Sequence, residues 1–267
     1  GVARLERIWR RLRRSDVFPL SLAGIAMCLL GRSDHVSRPD RLRTLVLDAL
    51  FEPERRDLLT RSTVLAAARS RFVAGETVDE AVATAAWLRR TNRLAALHPL
   101  LPEATDTAGV EACVEEAATA IERVAPVTSG GDYHSEIYLA PEHLALGADP
   151  ERAADALHRI CVAGDEHRVD VTLRSGPHAD TDALLDLVRR VRADHPRLTT
   201  SLVARRHRSE ADALTLAADG ARVRLVRGGT GEPRAIAWQD QHEVDLAFAR
   251  CLATLLGSGV HTVVATH

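Results

Sequence analysis

The chain has 267 residues, 46% of them hydrophobic and 27% charged, which is the composition of a folded globular protein and not of a disordered one. Its formal net charge of -2 offers no overall basic field for nucleic acid or anionic lipid. All 35 basic residues are arginine, so the chain has no lysine for Schiff-base chemistry or for a P-loop.

Residues 1–75 are predicted to form an N-terminal helical segment. Apolar residues recur at helical spacing in four stretches, at 5–12, 17–30, 39–51 and 55–73. The apolar stretch 17–31 follows a basic run, but at about 15 residues it is too short to span a bilayer, and it has no small-residue cleavage site. We therefore predict a packed helix there and no membrane span.

From residue 76 onward, short β-like runs alternate with longer amphipathic stretches. Helices are predicted at 78–90, 107–125, 150–162, 180–193, 209–218 and 241–256, and strands at 94–97, 136–139, 169–173, 199–203, 222–226 and 261–265. This alternation is typical of parallel α/β architecture. Because no G-x-G-x-x-G follows the first strands, a barrel over residues 76–267 is favoured over a Rossmann domain. Its chemistry is expected at the C-terminal ends of the strands.

The cysteines and histidines form no motif of a metal or redox site. The four cysteines are far apart in the sequence, which predicts reduced, buried thiols and suits a cytoplasmic protein: Cys28, Cys113, Cys161 and Cys251. Metal binding by His134 with His143, or by His178, is an alternative, but no pair has the metalloprotease spacing. Solvated or capping histidines are the simpler interpretation, and we predict no metal site.

Several stretches resemble one known family. The segment RFVAGET at 71–77 is similar to the one that leads into the family's barrel. A longer series is similar, in order, to its fifth strand, fifth helix and sixth strand: VRLVRG at 223–228, EP at 232–233, QD at 239–240, EVD at 243–245, RCL at 250–252 and VATH at 264–267. Weaker matches lie at 144–147, 149–150, 181–182 and 209–212. On these residues, the chain from about residue 70 to 267 resembles the proline dehydrogenase family of FAD-dependent (βα)8 barrels.

The resemblance implies a flavin cofactor and four residues that bind it. In the family, FAD lies across the barrel mouth and accepts a hydride from the proline ring, while the protein supplies orientation and charge. Arg224 has the position of a strand-five arginine that reaches the flavin, and Gly228 that of a turn glycine. Thr266 and His267 match a flavin-contacting pair on strand six. A simpler interpretation stays open, with Arg224 in a strand-end ion pair and Thr266 and His267 as a frayed terminus.

Other positions of the family's site are replaced in this chain. The replacements are Tyr138 for a lysine, Arg174 for an aspartate, Val203 for a glutamine, Arg205 for an aromatic residue, Thr230 for a tyrosine, and His98-Pro99 for an acidic residue with histidine. Because buried charges cannot be exchanged without new partners, the family's site is not expected to be intact. Arg174 and Arg205 beside Arg224 and Arg227 predict a basic mouth for an anionic ligand. Tyr138 and Thr230 join Arg174 and Arg205 as ligand-binding candidates, and no catalytic residue is assigned.

The family continues beyond the point that matches residue 267, with two more strands and a helix whose paired arginines clamp the proline carboxylate. We therefore expect a barrel that is C-terminally incomplete as given. Either the sequence is a fragment, or a homo- or hetero-oligomer covers the open seam.

Two functional hypotheses follow. One is an FAD-dependent oxidation of proline or a related amino or imino acid, with altered specificity. The other is a catalytically inactive paralogue that acts as a binding or assembly module. Flavin binding distinguishes them, since only the first predicts a yellow protein.

Overall fold

The structure is a computed structural model, and it describes residues 73–75, 77–99, 101–128, 134–176, 180–228 and 232–265. The helices predicted before residue 73 lie outside these ranges, as do the site candidates Thr230, Thr266 and His267. The described residues from 77 onward belong to one compact unit.

A six-stranded parallel sheet forms the centre of this unit. Its strands lie side by side in chain order and curl into a half-barrel. They are β1 (Ala96–Leu97), β2 (Glu136–Leu139), β3 (Asp170–Leu173), β4 (Thr199–Val203), β5 (Arg222–Val226) and β6 (Thr262–Ala265). The helices are α1 (Val78–Arg90), α2 (Thr107–Thr128), α3 (Pro150–His167), α4 (Thr181–Arg192), α5 (Ser209–Ala218) and α6 (Gln241–Ser258), and a short 3₁₀ helix covers Pro141–Leu144.

The predicted alternation of strands and helices is confirmed, and β2, β4, β5, α1 and α5 have the predicted bounds. Helix α3 continues to His167, past the predicted end at residue 162. Gly164, inside this extension, is needed for packing, because a Cβ there would lie 2.8 Å from the carbonyl oxygen of Val169. The helix ends at His167, and the next residue, Arg168, takes a left-handed conformation with φ 57°.

Side-chain caps begin three of the helices. The side chain of Thr77 accepts a hydrogen bond from the third residue of α1, and Asp149 does the same for α3, at 3.3 and 3.1 Å. Asp240 accepts two backbone hydrogen bonds at the start of α6. Helix α6 stops at Gly259, whose φ of 76° suits glycine. These capping residues explain why the predicted starts of α1, α3 and α6 are confirmed.

The strands have an outer face that packs on helices and an inner face that lines the curl. On β5, Val223 and Leu225 are fully buried in a cluster with residues of α5 and α6. Arg222 and Arg224 alternate with them and therefore point to the opposite, inner face. Among the helices of the described residues, none combines the length and apolar character that a membrane span requires.

Candidate functional site

Polar side chains from four neighbouring strands share the inner face of the half-barrel. The register pairs Tyr138 with Thr172 across β2 and β3, and Ser201 with Arg224 across β4 and β5. Alternate residues of a strand face the same side, so Glu136 lies on this face with Tyr138. In parallel barrels the carboxyl ends of the strands form the functional end, and Tyr138 lies closer to that end than Glu136, which is the first residue of β2.

Arg224 is the centre of this inner layer. Its guanidinium forms an ion pair with Oε1 of Glu136, and its Cζ atom lies 5.3 Å from the centroid of the Tyr138 ring. The side chains of Arg224 and Glu136 are only 16% and 13% exposed, and burial lowers the pKa of Arg224. Oε2 of Glu136 accepts a hydrogen bond from Thr172. The buried Nε of Arg224 has no hydrogen-bond partner among the described residues.

Tyr138 is held from both sides at the mouth of the curl. Its hydroxyl lies 3.0 Å from Oγ of Ser201, and its backbone carbonyl accepts a 2.5 Å hydrogen bond from Nδ1 of His98. The rings of His98 and Tyr138 meet edge to face at 5.5 Å, while His143 stacks on His98 at 6.0 Å. Desolvation lowers the pKa of both histidines. These contacts hold Tyr138 in place, and His98 stabilises it from one side.

The four arginines of the expected basic mouth have partners within the chain. Arg174 pairs with Glu142 at 3.1 Å, and Arg227 pairs with Asp245 at 2.7 Å. Nε of Arg205, a residue with 5% exposure, donates to the carbonyl of Trp238 at 2.7 Å. With Arg224 bound to its own carboxylate, three of the four arginines are paired with acidic side chains. The strongly basic mouth expected from the sequence is thus largely neutralised within the described residues.

Gly228 has a backbone conformation that favours glycine, with φ 106°. A Cβ there would lie 2.8 Å from Cβ of Arg205 and 3.0 Å from Cγ1 of Val203. The close approach that requires glycine is therefore to the end of β4. The resemblance had placed Gly228 among the cofactor-binding residues.

A second buried charge cluster lies at the N-terminal ends of β3 and β5, and its Asp170 is in register with Glu136 of the inner layer. Asp170, 8% exposed, accepts hydrogen bonds from Arg197 at 2.8 Å and from Arg222 at 2.8 Å. His134 contacts both Arg197 and Asp170, at 3.0 and 3.4 Å. Because this end of a barrel serves stability, we interpret the cluster as structural.

The structure separates the histidines that were considered as metal ligands. His134 belongs to the N-terminal cluster and His143 to the mouth, while His178 lies outside the described residues. Within the described ranges, no group of three or more histidine, cysteine, aspartate or glutamate side chains could hold a metal ion.

Sequence reasoning did not identify Glu136, Thr172 and Ser201 as site residues. A signal was present for the first, because Glu136 lies two residues before Tyr138 on a strand and must share its face. The other two depend on the register between strands, which a single sequence does not show.

These features define a parallel βα-barrel protein with a polar inner layer, and comparison with known proteins shows which family it resembles. No family model matches the chain. It is 28% identical over 197 residues to proline dehydrogenase 1 of Bacillus subtilis strain 168, covering 74% of this chain and 64% of that protein. It is 27% identical over 206 residues to proline dehydrogenase of Deinococcus radiodurans, with the same coverage of 74% and 64%.

Solved structures show the same fold. Proline utilization A (PutA) from Bdellovibrio bacteriovorus, inactivated by N-propargylglycine, has a TM-score of 0.64 at 16% identity, covering 75% of this chain and 25% of that one. PutA with proline bound in remote sites has a TM-score of 0.58 at 19% identity and the same coverage of 75% and 25%. Together the comparisons support a divergent member of the proline dehydrogenase family. The chain spans 64% of the length of the two proline dehydrogenases.

Proposed function

We propose that this chain is a proline-dehydrogenase-like flavoprotein that oxidises proline or a related amino or imino acid. The observation that carries the proposal is Arg224, which presents a buried and unpartnered Nε on the inner face of β5. The family places its flavin at this strand, and the sequence similarity to proline dehydrogenases supports the same cofactor.

The residues of the inner layer fit FAD in one specific respect. A buried N–H without an acceptor costs free energy, and a carbonyl or ring nitrogen of the cofactor would satisfy Nε of Arg224. Gly228, Thr266 and His267 are the other residues that we propose to hold the cofactor. When bound, FAD supplies the two-electron acceptor for oxidation of a carbon–nitrogen bond.

The chain's own groups would orient the ligand and set the local charge. Glu136 and the ring of Tyr138 keep Arg224 in one place, so its positive charge is fixed on the inner face of the half-barrel. Glu136 also offsets that charge, because the pair is neutral as a whole. Tyr138 presents a hydroxyl where the family presents a lysine, so we propose that the substrate differs from proline in the group it offers at this point.

Two further parts of the proposal concern ligand and location. We propose that Tyr138, Thr230, Arg174 and Arg205 contribute to binding of an anionic substrate, which requires the arginines to exchange their present partners for it. Three buried cysteines without disulfides are compatible with a reducing compartment, and we propose a cytoplasmic location: Cys113, Cys161 and Cys251.

A non-catalytic binding or assembly module is the second candidate. This candidate is favoured by the interactions at the mouth, because Arg174 and Arg205 already bind partners within the chain. Strand β6 also forms one edge of the described sheet and exposes 39% of Val264, which a further strand or a partner subunit could cover.

Anaerobic reduction separates the two candidates. The purified chain is mixed with FAD, passed through a desalting column, and exposed without oxygen to proline and to cyclic and open-chain analogues. Bleaching of the visible flavin bands by at least one of them supports the enzyme. Failure to retain FAD rules the enzyme out for this chain, and retained flavin that no amino or imino acid reduces rules out the proposed reaction.

A further inference from the structure

Three polar side chains on the helical layer, away from the barrel mouth, are joined by hydrogen bonds. His158 and Asp165 both belong to α3, and His195 lies in the segment between α4 and β4. Nδ1 of His195 lies 2.6 Å from Oδ2 of Asp165, and Nε2 of His195 lies 2.9 Å from Nδ1 of His158. The two imidazole rings meet at an interplanar angle of 62°.

The hydrogen bond to Asp165 sets the tautomer of His195. A carboxylate can only accept, so the ring hydrogen of neutral His195 lies on Nδ1 and a lone pair lies on Nε2. That lone pair faces Nδ1 of His158. His195 is 6% exposed and cannot turn away freely, whereas His158 is exposed. A histidine with one nitrogen fixed by a carboxylate and the other directed at a second histidine has the arrangement of a zinc ligand and its supporting carboxylate.

We propose that His158 and His195 form a binding site for a zinc ion. Zinc–nitrogen bonds of about 2.05 Å at a tetrahedral angle place two ligand nitrogens about 3.4 Å apart. The present separation of 2.9 Å therefore has to open by about 0.5 Å, which the exposed His158 ring allows. Neutral His158 binds through Nδ1 after its ring hydrogen moves to Nε2 through solvent, so no proton is gained or lost overall.

Water completes the coordination. No third histidine, cysteine, aspartate or glutamate within the described residues joins these two in a metal-binding group. Asp165 is already used at Nδ1 of His195. Two protein ligands predict a weaker site than a structural zinc centre, and one that joins α3 to the segment before β4.

The test is titration of the untagged, chelator-treated full chain with zinc chloride by calorimetry and thermal denaturation. A saturable site with one zinc per chain and a rise in Tm are expected. H158Q should abolish both effects, because it removes an exposed ligand with little risk to folding. D165N should weaken binding by about 10- to 100-fold, through loss of the tautomer control.

H242Q is the matched control, since His242 is an exposed histidine at the start of α6. It should bind zinc as the unmodified chain does. The proposal is wrong if the unmodified chain gives no saturable binding, or if H158Q binds zinc as tightly as H242Q. In either case the hydrogen bonds among the three side chains serve only the structure. None of these results depends on flavin, so they bear on this site independently of the proposed function.

Discussion

Replacing Glu136 by glutamine should destabilise the folded chain by about 3 kcal/mol. The substitution leaves the Arg224 guanidinium 16% exposed and without its carboxylate. Breaking a buried ion pair by removing one partner costs about 3–5 kcal/mol. Because both side chains keep some exposure and glutamine can still accept a hydrogen bond, we expect the low end of that range.

The assay is urea denaturation followed by circular dichroism, with the denaturant slope compared to confirm that the same surface unfolds. E210Q is the control, because Glu210 pairs with Arg250 at 3.1 Å with side chains 43% and 56% exposed. Such a surface pair should change the free energy of unfolding by less than about 1 kcal/mol. The double variant E136Q/R224M should be more stable than E136Q, since it removes the uncompensated charge.

The reasoning is refuted if E136Q loses no more stability than E210Q. It is also refuted if the double variant is less stable than E136Q, because Arg224 would then contribute through packing instead of through its charge.

Three other predictions concern packing, pH and thiol chemistry. G164A should destabilise the chain by about 1–3 kcal/mol, because its Cβ would lie too close to the carbonyl oxygen of Val169. The control G257A, whose Cβ would have no atom within 4 Å, should stabilise the chain by up to about 1 kcal/mol, and equal effects of the two substitutions in denaturation would contradict this prediction. Burial lowers the pKa of His98 and His143 below the ordinary 6.5, so the unfolded chain binds protons more readily than the folded chain. The free energy of unfolding should therefore stay constant above about pH 6.5 and fall below it, by a smaller amount in H143N. A free energy of unfolding that rises on acidification would contradict this prediction. Burial raises the pKa of the Cys113 thiol to about 11, so iodoacetamide at pH 8 should label the peptide that contains Cys113 only after unfolding. Rapid labelling of the native chain would show that the thiol is accessible and would contradict this prediction.

Local sequence patterns predicted most of the fold. Strands such as 222–226 alternate apolar and polar residues, and capping residues such as Asp240 mark helix starts, so both kinds of element are encoded within a few residues. Strand β1 was predicted at 94–97 but covers only Ala96–Leu97. A strand this short depends on its pairing with β2, which local pattern does not contain.

The candidate site was predictable only in part. Tyr138 and Arg224 were identified by position, but their contact with each other and with Glu136 requires β2 and β5 to face the same interior. The need for new charge partners at Arg174 was predicted on physical grounds. The partner itself, Glu142, lies 32 residues away in the 3₁₀ helix after β2, and only the folded arrangement identifies it.

Flavin binding by Arg224 is the claim on which the proposed function depends most directly. The measurement is the visible absorbance spectrum of the purified chain after FAD addition and gel filtration, for the unmodified chain, R224M and R227Q. Arg227 is the control, since its guanidinium pairs with Asp245 near the surface. The account predicts bound flavin in the unmodified chain and in R227Q, and little or none in folded R224M. A colourless unmodified chain at excess FAD, or equal binding in R224M, would contradict it.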